Sequence, residues 1–157
     1  MTEEMDNVRK DALAFLKRHK TGVLATRGEA VGPHASMVYY TADDDFNIYF
    51  VTLENSRKFK ALSAHPQVAF VVATPDVPQT LQIEGMAVDI TTDTQVAQKK
   101  DEIMQVLNSN PNFYAPITKM DPSEVVVVWL RPTWVRWSDF AFEESGNQHV
   151  FKEIPIR

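Results

Sequence analysis

The segment Thr52-Leu53-Glu54-Asn55-Ser56-Arg57-Lys58-Phe59 gathers the residue types that hold an anion. Asn55 or Ser56 is placed to cap a short helix over residues 56–64, and Arg57 and Lys58 then fall in its first turn. Stability alone would favour Asp or Glu there, because a helix N-terminus carries partial positive charge. Free backbone N–H groups, a serine hydroxyl and two cations at one spot suit a phosphate. Arg grips two of its oxygens at once, and Lys adds a point charge. The alternative is a basic turn facing water, and three residues alone leave both readings open.

The other polar groups offer less. There is no cysteine, which excludes disulfides, thiolate metal sites and thiol nucleophiles. His19, His34, His65 and His149 show no metal-ligand spacing, and His65 is explained by its place before Pro66. Asp43-Asp44-Asp45 lacks the glycine and final glutamate of a calcium loop and reads as a solvated hairpin turn. No metal is expected, and no Ser-His-Asp arrangement can be placed.

The elements that must position Thr52–Phe59 are mostly strands. Residues 3–19 form an amphipathic helix, with Met5, Val8, Ala12, Phe15 and Leu16 at helical spacing. Strands are expected at 23–26, 34–40 and 47–52, turning at Arg27-Gly28-Glu29 and at the Asp43 cluster. After the short helix, Val68–Thr74 and Thr80–Ile90 read as strands, the second with Gly85 marking a bulge or a close backbone approach. Asp93 or Thr94 would cap a helix over 95–107, whose apolar side is Val96, Ile103, Met104 and Leu107. Residues 108–122 are irregular. Val125–Leu130, Thr133–Phe142 and His149–Ile154 read as closing strands. Six to eight strands with short helices at the corners argue for a closed or nearly closed β-barrel, as a single domain over residues 1–157. Val125–Leu130 has no polar alternation, so it is expected to be buried on both faces, with a dimer interface as one source of the second layer.

The 157 residues are 44% hydrophobic and 24% charged, a globular balance with enough chain for one core. The polar, acidic start MTEEMDNVRK lacks an apolar signal region, and no apolar run approaches the roughly 20 residues that span a bilayer. A cytoplasmic home is therefore expected, with no membrane partner. The net charge of −5 argues against a nucleic-acid binder. Arg9, Lys10, Lys17, Arg18, His19 and Lys20 form a local basic cluster. It reads as a solvated helix end or as a surface for an anionic partner, including the acidic tail of a long cofactor.

The run Asn47–Thr52, then Ser56-Arg57-Lys58, Leu62 and His65-Pro66-Gln67-Val68-Ala69-Phe70, resembles the FMN-binding split-barrel family, in which pyridoxamine 5′-phosphate oxidase is the best-known enzyme. The likeness extends through Gln82-Ile83-Glu84-Gly85-Met86-Ala87 and is clear over residues 15–90. It implies a mainly β split barrel with flanking helices and a homodimer with two FMN sites at the interface. By analogy Arg57 and Lys58, helped by Ser56 and Thr52, would hold the FMN phosphate, and Val51 belongs to the same cofactor site. Ser36, Met37, Val38 and Tyr39 would run beneath the isoalloxazine ring, and Thr80 and Gln82 of the second subunit would complete the pocket.

Departures from the oxidase narrow the expectation. It carries an Arg near the place of Ser36 and a Lys near Tyr40 or Thr41, and its C-terminal Arg-Leu-His-Asp-Arg segment has no match in Trp137–Phe142. Oxidation of vitamin B6 phosphates is therefore not expected. Leu130–Trp137 instead resembles the ending of the general stress protein branch. Trp134 and Trp137 either flank the flavin or pack in the core or an interface, and Arg136 either neutralises a reduced flavin or an acidic ligand or sits in a salt bridge. The resulting expectation is a flavin-dependent oxidoreductase acting on a small molecule. Its alternatives are a non-catalytic flavin-binding stress module, a coenzyme F420-dependent reductase supported by the basic N-terminal helix, and a haem-handling relative.

Overall fold

A computed structural model describes residues 1–28, 32–93, 97–109, 121–140 and 150–156. Helix α1 (Glu3–Arg18) is capped by Thr2, whose hydroxyl accepts from Met5 N at 3.3 Å. Glu3, Glu4 and Asp6 stand in its first turn and Lys17 and Arg18 in its last, the distribution a helix dipole favours. It buries Ala12, Phe15 and Leu16 completely in the core.

Strands β1 (Thr21–Arg27), β2 (Pro33–Ala42) and β3 (Ile48–Leu53) follow, then α2 (Arg57–Ala64), β4 (Gln67–Thr74), β5 (Gln79–Asp89), α3 (Ala97–Asn108), a 3-10 turn (Pro122–Glu124), β6 (Val125–Asp139) and β7 (Phe151–Glu153). The strand order is β3-β2-β1-β4-β5-β6-β7, all antiparallel, and a further β3–β6 pairing closes six strands into a barrel. The alternation Ile48, Phe50, Thr52 in and Tyr49, Val51, Leu53 out is read directly in the burial of β3. The expected strand boundaries hold to within two residues up to β5. Expectations that fall on Glu29, Thr94, Val96, residues 110–120, Ala141, Phe142 and His149 lie outside the described residues.

Two expectations are corrected. The strands expected at 125–130 and 133–142 are one element, β6, which runs through Pro132 without a break. Proline lacks the N–H that a ladder uses, and Pro132 stands opposite Gly85, where the β5–β6 register shifts. A Cβ on Gly85 would lie 2.2 Å from the Arg131 carbonyl oxygen, so the bulge and the close approach expected there coincide. The second layer over Val125–Leu130 comes from this chain itself. Ile103 and Leu107 of α3 pack with Val127, flanked by Tyr39, Tyr49 and Val51. Val128 and Leu130 face the opposite way into the barrel core with Ile48 and Phe50.

The Asp43 turn is built by hydrogen bonds within the chain. The Asp43 carboxylate accepts from Asp45 N at 3.0 Å, from Asn47 N at 3.1 Å and from the Asn47 amide nitrogen at 2.9 Å. Arg9 then ties α1 to this turn and to the C-terminal segment, donating to Asp44 O at 2.9 Å and Pro155 O at 3.3 Å.

Candidate functional site

The turn between β3 and α2 places Ser56 as the N-cap, its Oγ accepting from Phe59 N at 3.1 Å. Of the two expected caps, Ser56 therefore serves and Asn55 does not. The Thr52 hydroxyl, buried at the end of β3, lies 3.0 Å from Ser56 Oγ. When Thr52 is the donor, the Ser56 hydrogen is left for an anion above the helix. No acidic residue stands in the first turn of α2, in contrast to α1. Arg57 and Lys58 have no ion-pair or hydrogen-bond partner among the described residues. Lys58 is half-buried, and loss of water around its ammonium holds its pKa below the usual lysine value.

A cavity of about 420 Å³ opens beside this turn, between α2 and the β1–β2 connection. Arg57, Lys60, Asn55 and His34 line it. Arg57 and Lys60 are three residues apart and so share one face of the helix, while Lys58 does not line this space. The sequence reading missed His34 and Lys60. The i, i+3 spacing from Arg57 was the available signal for Lys60, and the in–out alternation of β2 was the signal for His34. His34 Nδ1 and Ser36 Oγ, both on the inward side of β2, are buried without a hydrogen-bond partner among the described residues. Orphaned buried polar atoms of this kind are uncommon and mark a place where a ligand can supply the missing partner.

The expected cofactor residues fall into two groups. Thr52, Ser56, Arg57 and Lys58 gather at one end of the barrel. On β2, Ser36 points inward, Val38 sits in the core, and Met37 faces out at 58% exposure. Tyr39 and Val51 face out under α3. Thr80 and Gln82 belong to β5, three strands from β2 in either direction around the barrel, so one chain does not bring them to the β2 wall. Thr80 O accepts from the Ser138 hydroxyl at 3.3 Å, and Gln82 Oε1 accepts from Arg136 Nε at 2.9 Å. Trp137 is a correction. Its side chain is 5% exposed and packs on Phe15 at 4.9 Å, so it offers no free face to a flavin ring. Trp134, one step outward on β6, is the half-exposed indole.

The profile of the pyridoxamine 5′-phosphate oxidase family matches residues 8–138. The chain belongs to the pyridoxamine 5′-phosphate oxidase family. The match continues well past residue 90, where the legible motifs thin out. A pyridoxine/pyridoxamine 5′-phosphate oxidase of Burkholderia ambifaria is 34% identical over 91 residues, which is 57% of this chain and 42% of that enzyme. The match thus spans less than half of that relative's length. Among solved structures, General Stress Protein 26 of Bacillus anthracis str. Sterne superposes with a TM-score of 0.64 at 19% identity, over 83% of this chain and 93% of the other. An F420 reductase superposes with a TM-score of 0.58 at 24% identity, over 78% and 93%. These likenesses establish the split-barrel fold. Among the described residues no helix is long and apolar enough to cross a membrane.

Proposed function

We propose that this member of the pyridoxamine 5′-phosphate oxidase family binds FMN and works as a flavin-dependent oxidoreductase on a small molecule. The observation that carries the reading is the N-terminus of α2: a serine cap, with first-turn N–H groups and cations that have no anionic partner among the described residues. The neighbouring cavity of about 420 Å³ is in the range that small-molecule and cofactor sites occupy. Arg57 and Lys60 line that cavity and, with the Ser56 hydroxyl and Lys58 at the helix N-terminus beside it, fit a phosphate; His34 Nδ1, in the same lining and without a hydrogen-bond partner among the described residues, fits the polar ribityl chain or ring edge. When bound, a flavin would supply hydride and electron transfer. The chain's own part is to fix the phosphate, orient the ring along β2 and keep water from it.

The same reading includes a homodimer. Thr80 and Gln82 stand on the wall opposite β2, so a second copy is the way for them to reach the cofactor expected there. The outer face of β2, β1 and β4 carries Met37, Val23 and Val71 in one register row and Ala35, Ala25 and Ala69 in the next. Val23 is 40% exposed, and an apolar face of this kind suits a partner subunit. Oxidation of pyridoxamine phosphate itself is not proposed, because this chain has no cation at Ser36 or its neighbours, near where the oxidase carries an Arg.

The test is flavin binding by the purified protein, followed by turnover. Arg57→Ala and Lys58→Ala should each weaken FMN binding by about tenfold to a hundredfold, the worth of a charge-assisted hydrogen bond. Unchanged affinity in both variants would remove the phosphate site. Oxidation of NADH or NADPH by the flavin-loaded protein with varied acceptors then separates an enzyme from a flavin carrier, which shows no turnover with either donor. The deazaflavin reading draws on the F420 reductase likeness and on the exposed cations Arg18 and Lys20 at the end of α1. It expects F420 to bind more tightly than FMN.

A further inference from the structure

Three adjoining hollows run over the barrel surface. The first, beside Arg57, shares Gly28, Gly32 and Pro33 with a second of about 510 Å³. That one shares Ala25, Ala69 and Glu84 with a third of about 200 Å³, walled by Trp134 and Gln82. At the far end stands Arg136, directly opposite Gln82 across the β5–β6 ladder.

The Arg136 guanidinium is held in one place from three sides. Gln82 Oε1 accepts from its Nε and from a terminal nitrogen. The Trp134 ring lies 5.3 Å away on one side and the Phe151 ring 4.7 Å away on another. Phe140 packs edge-on against Phe151 at 5.7 Å and supports that wall. Glu153 is opposite Arg136 on β7 and Glu84 is diagonal to it on β5, yet neither forms an ion pair with it. A fixed planar cation with no ion-pair partner among the described residues, flanked by aromatic faces, is equipped to read a carboxylate.

We propose that Arg136, with Gln82 and Trp134, forms a carboxylate subsite, and that the small molecule handled at this face is a flat monocarboxylate. The carboxylate would take the remaining N–H groups of Arg136. The apolar body would lie in the shallow hollow floored by Ala25, Ala69 and Val71, with the Trp134 ring as its wall. Glu84 lines the same hollow, and a second negative charge on the ligand would meet it. That repulsion selects against dicarboxylates. This deepens the oxidoreductase reading by naming a ligand class and rests on it for the ligand's being a substrate. The floor residues Ala25, Ala69 and Val71 belong to the face assigned to the second subunit, so the subsite lies at that interface, with Arg136 on β6 at its rim.

The subsite is tested by titrating the purified full chain with benzoate, benzyl alcohol and terephthalate. The Trp134 indole and Arg136 Nε–H signals are followed by nitrogen–proton NMR. Benzoate should bind saturably and move both signals, while benzyl alcohol and terephthalate should bind about tenfold more weakly or worse. Arg136→Gln should weaken benzoate by about tenfold with its spectrum otherwise native, and Arg57→Ala should leave benzoate binding unchanged. Absence of benzoate binding, equal affinity for the alcohol, or a loss confined to Arg57→Ala would each overturn the subsite. FMN affinity is measured on the same samples. Intact FMN binding with failed benzoate binding removes the subsite alone, and lost FMN binding removes the flavin reading.

Discussion

At the scale of single residues, the informative feature is a pair of cations at the wrong end of a helix. Lys58 is half-buried without an anionic partner among the described residues, and desolvation lowers its pKa. Its folded pKa lies below that of the unfolded chain, so between those two values the unfolded chain binds the proton more tightly and stability rises with pH. At neutral pH the charged side chain therefore costs the ligand-free protein some stability. Lys58→Met should raise the melting temperature slightly, by roughly 1–2 °C after solvent screening, while weakening FMN binding. An unchanged or lower melting temperature together with undiminished FMN affinity would show that Lys58 is an ordinary surface lysine. Ser56, Arg57 and Lys58 were legible in the sequence because capping and charge near a helix end are local properties. His34 and Lys60 were not, because their meaning depends on α2 and the β1–β2 connection sharing one cavity. Trp137 was misread for a similar reason: on β6 it alternates with Trp134 and Arg136, and which of them faces the core depends on the register shift at Gly85.

At the scale of elements, β5 and β6 carry the join between the closed barrel and its C-terminal extension. Val125–Leu130 pairs with β3 and closes the barrel, while Arg136–Ser138 pairs with β7. Gly85 permits both by letting the Arg131 carbonyl pass where a Cβ would stand. Gly85→Ala puts a methyl against backbone, which moves less readily than a side chain. It should destabilise by roughly 1–3 kcal/mol, read as a lowered midpoint in chemical denaturation. A midpoint equal to that of the parent protein would mean that the β5–β6 crossing relaxes freely. Strand periods were readable because one face of each strand is buried. The continuity of β6 was not, since Pro132 breaks a strand pattern unless a bulge beside it absorbs the lost ladder position, as the extra residue Thr133 does here. The second layer over Val125–Leu130 was equally hidden. Apolar residues on both faces require a cover but do not say whether α3 or another subunit supplies it.

At the scale of the whole molecule, the chain presents a cavity of about 420 Å³ at the α2 end and an apolar outer wall on β1, β2 and β4. If that wall joins two copies, Val23→Lys should convert a dimer to a monomer in sedimentation and weaken FMN binding with it. A variant that stays dimeric would place the interface elsewhere. At the α2 end, the helix N-terminus is assigned to the phosphate of FMN. That assignment is tested most directly by measuring FMN and riboflavin affinities side by side in the parent protein and in Arg57→Ala. The two ligands differ only in the phosphate. The account predicts that the parent protein prefers FMN by at least about tenfold, and that Arg57→Ala erases most of the preference while changing riboflavin affinity little. Equal affinity for the two in the parent protein, or a preference that survives the substitution, would contradict it.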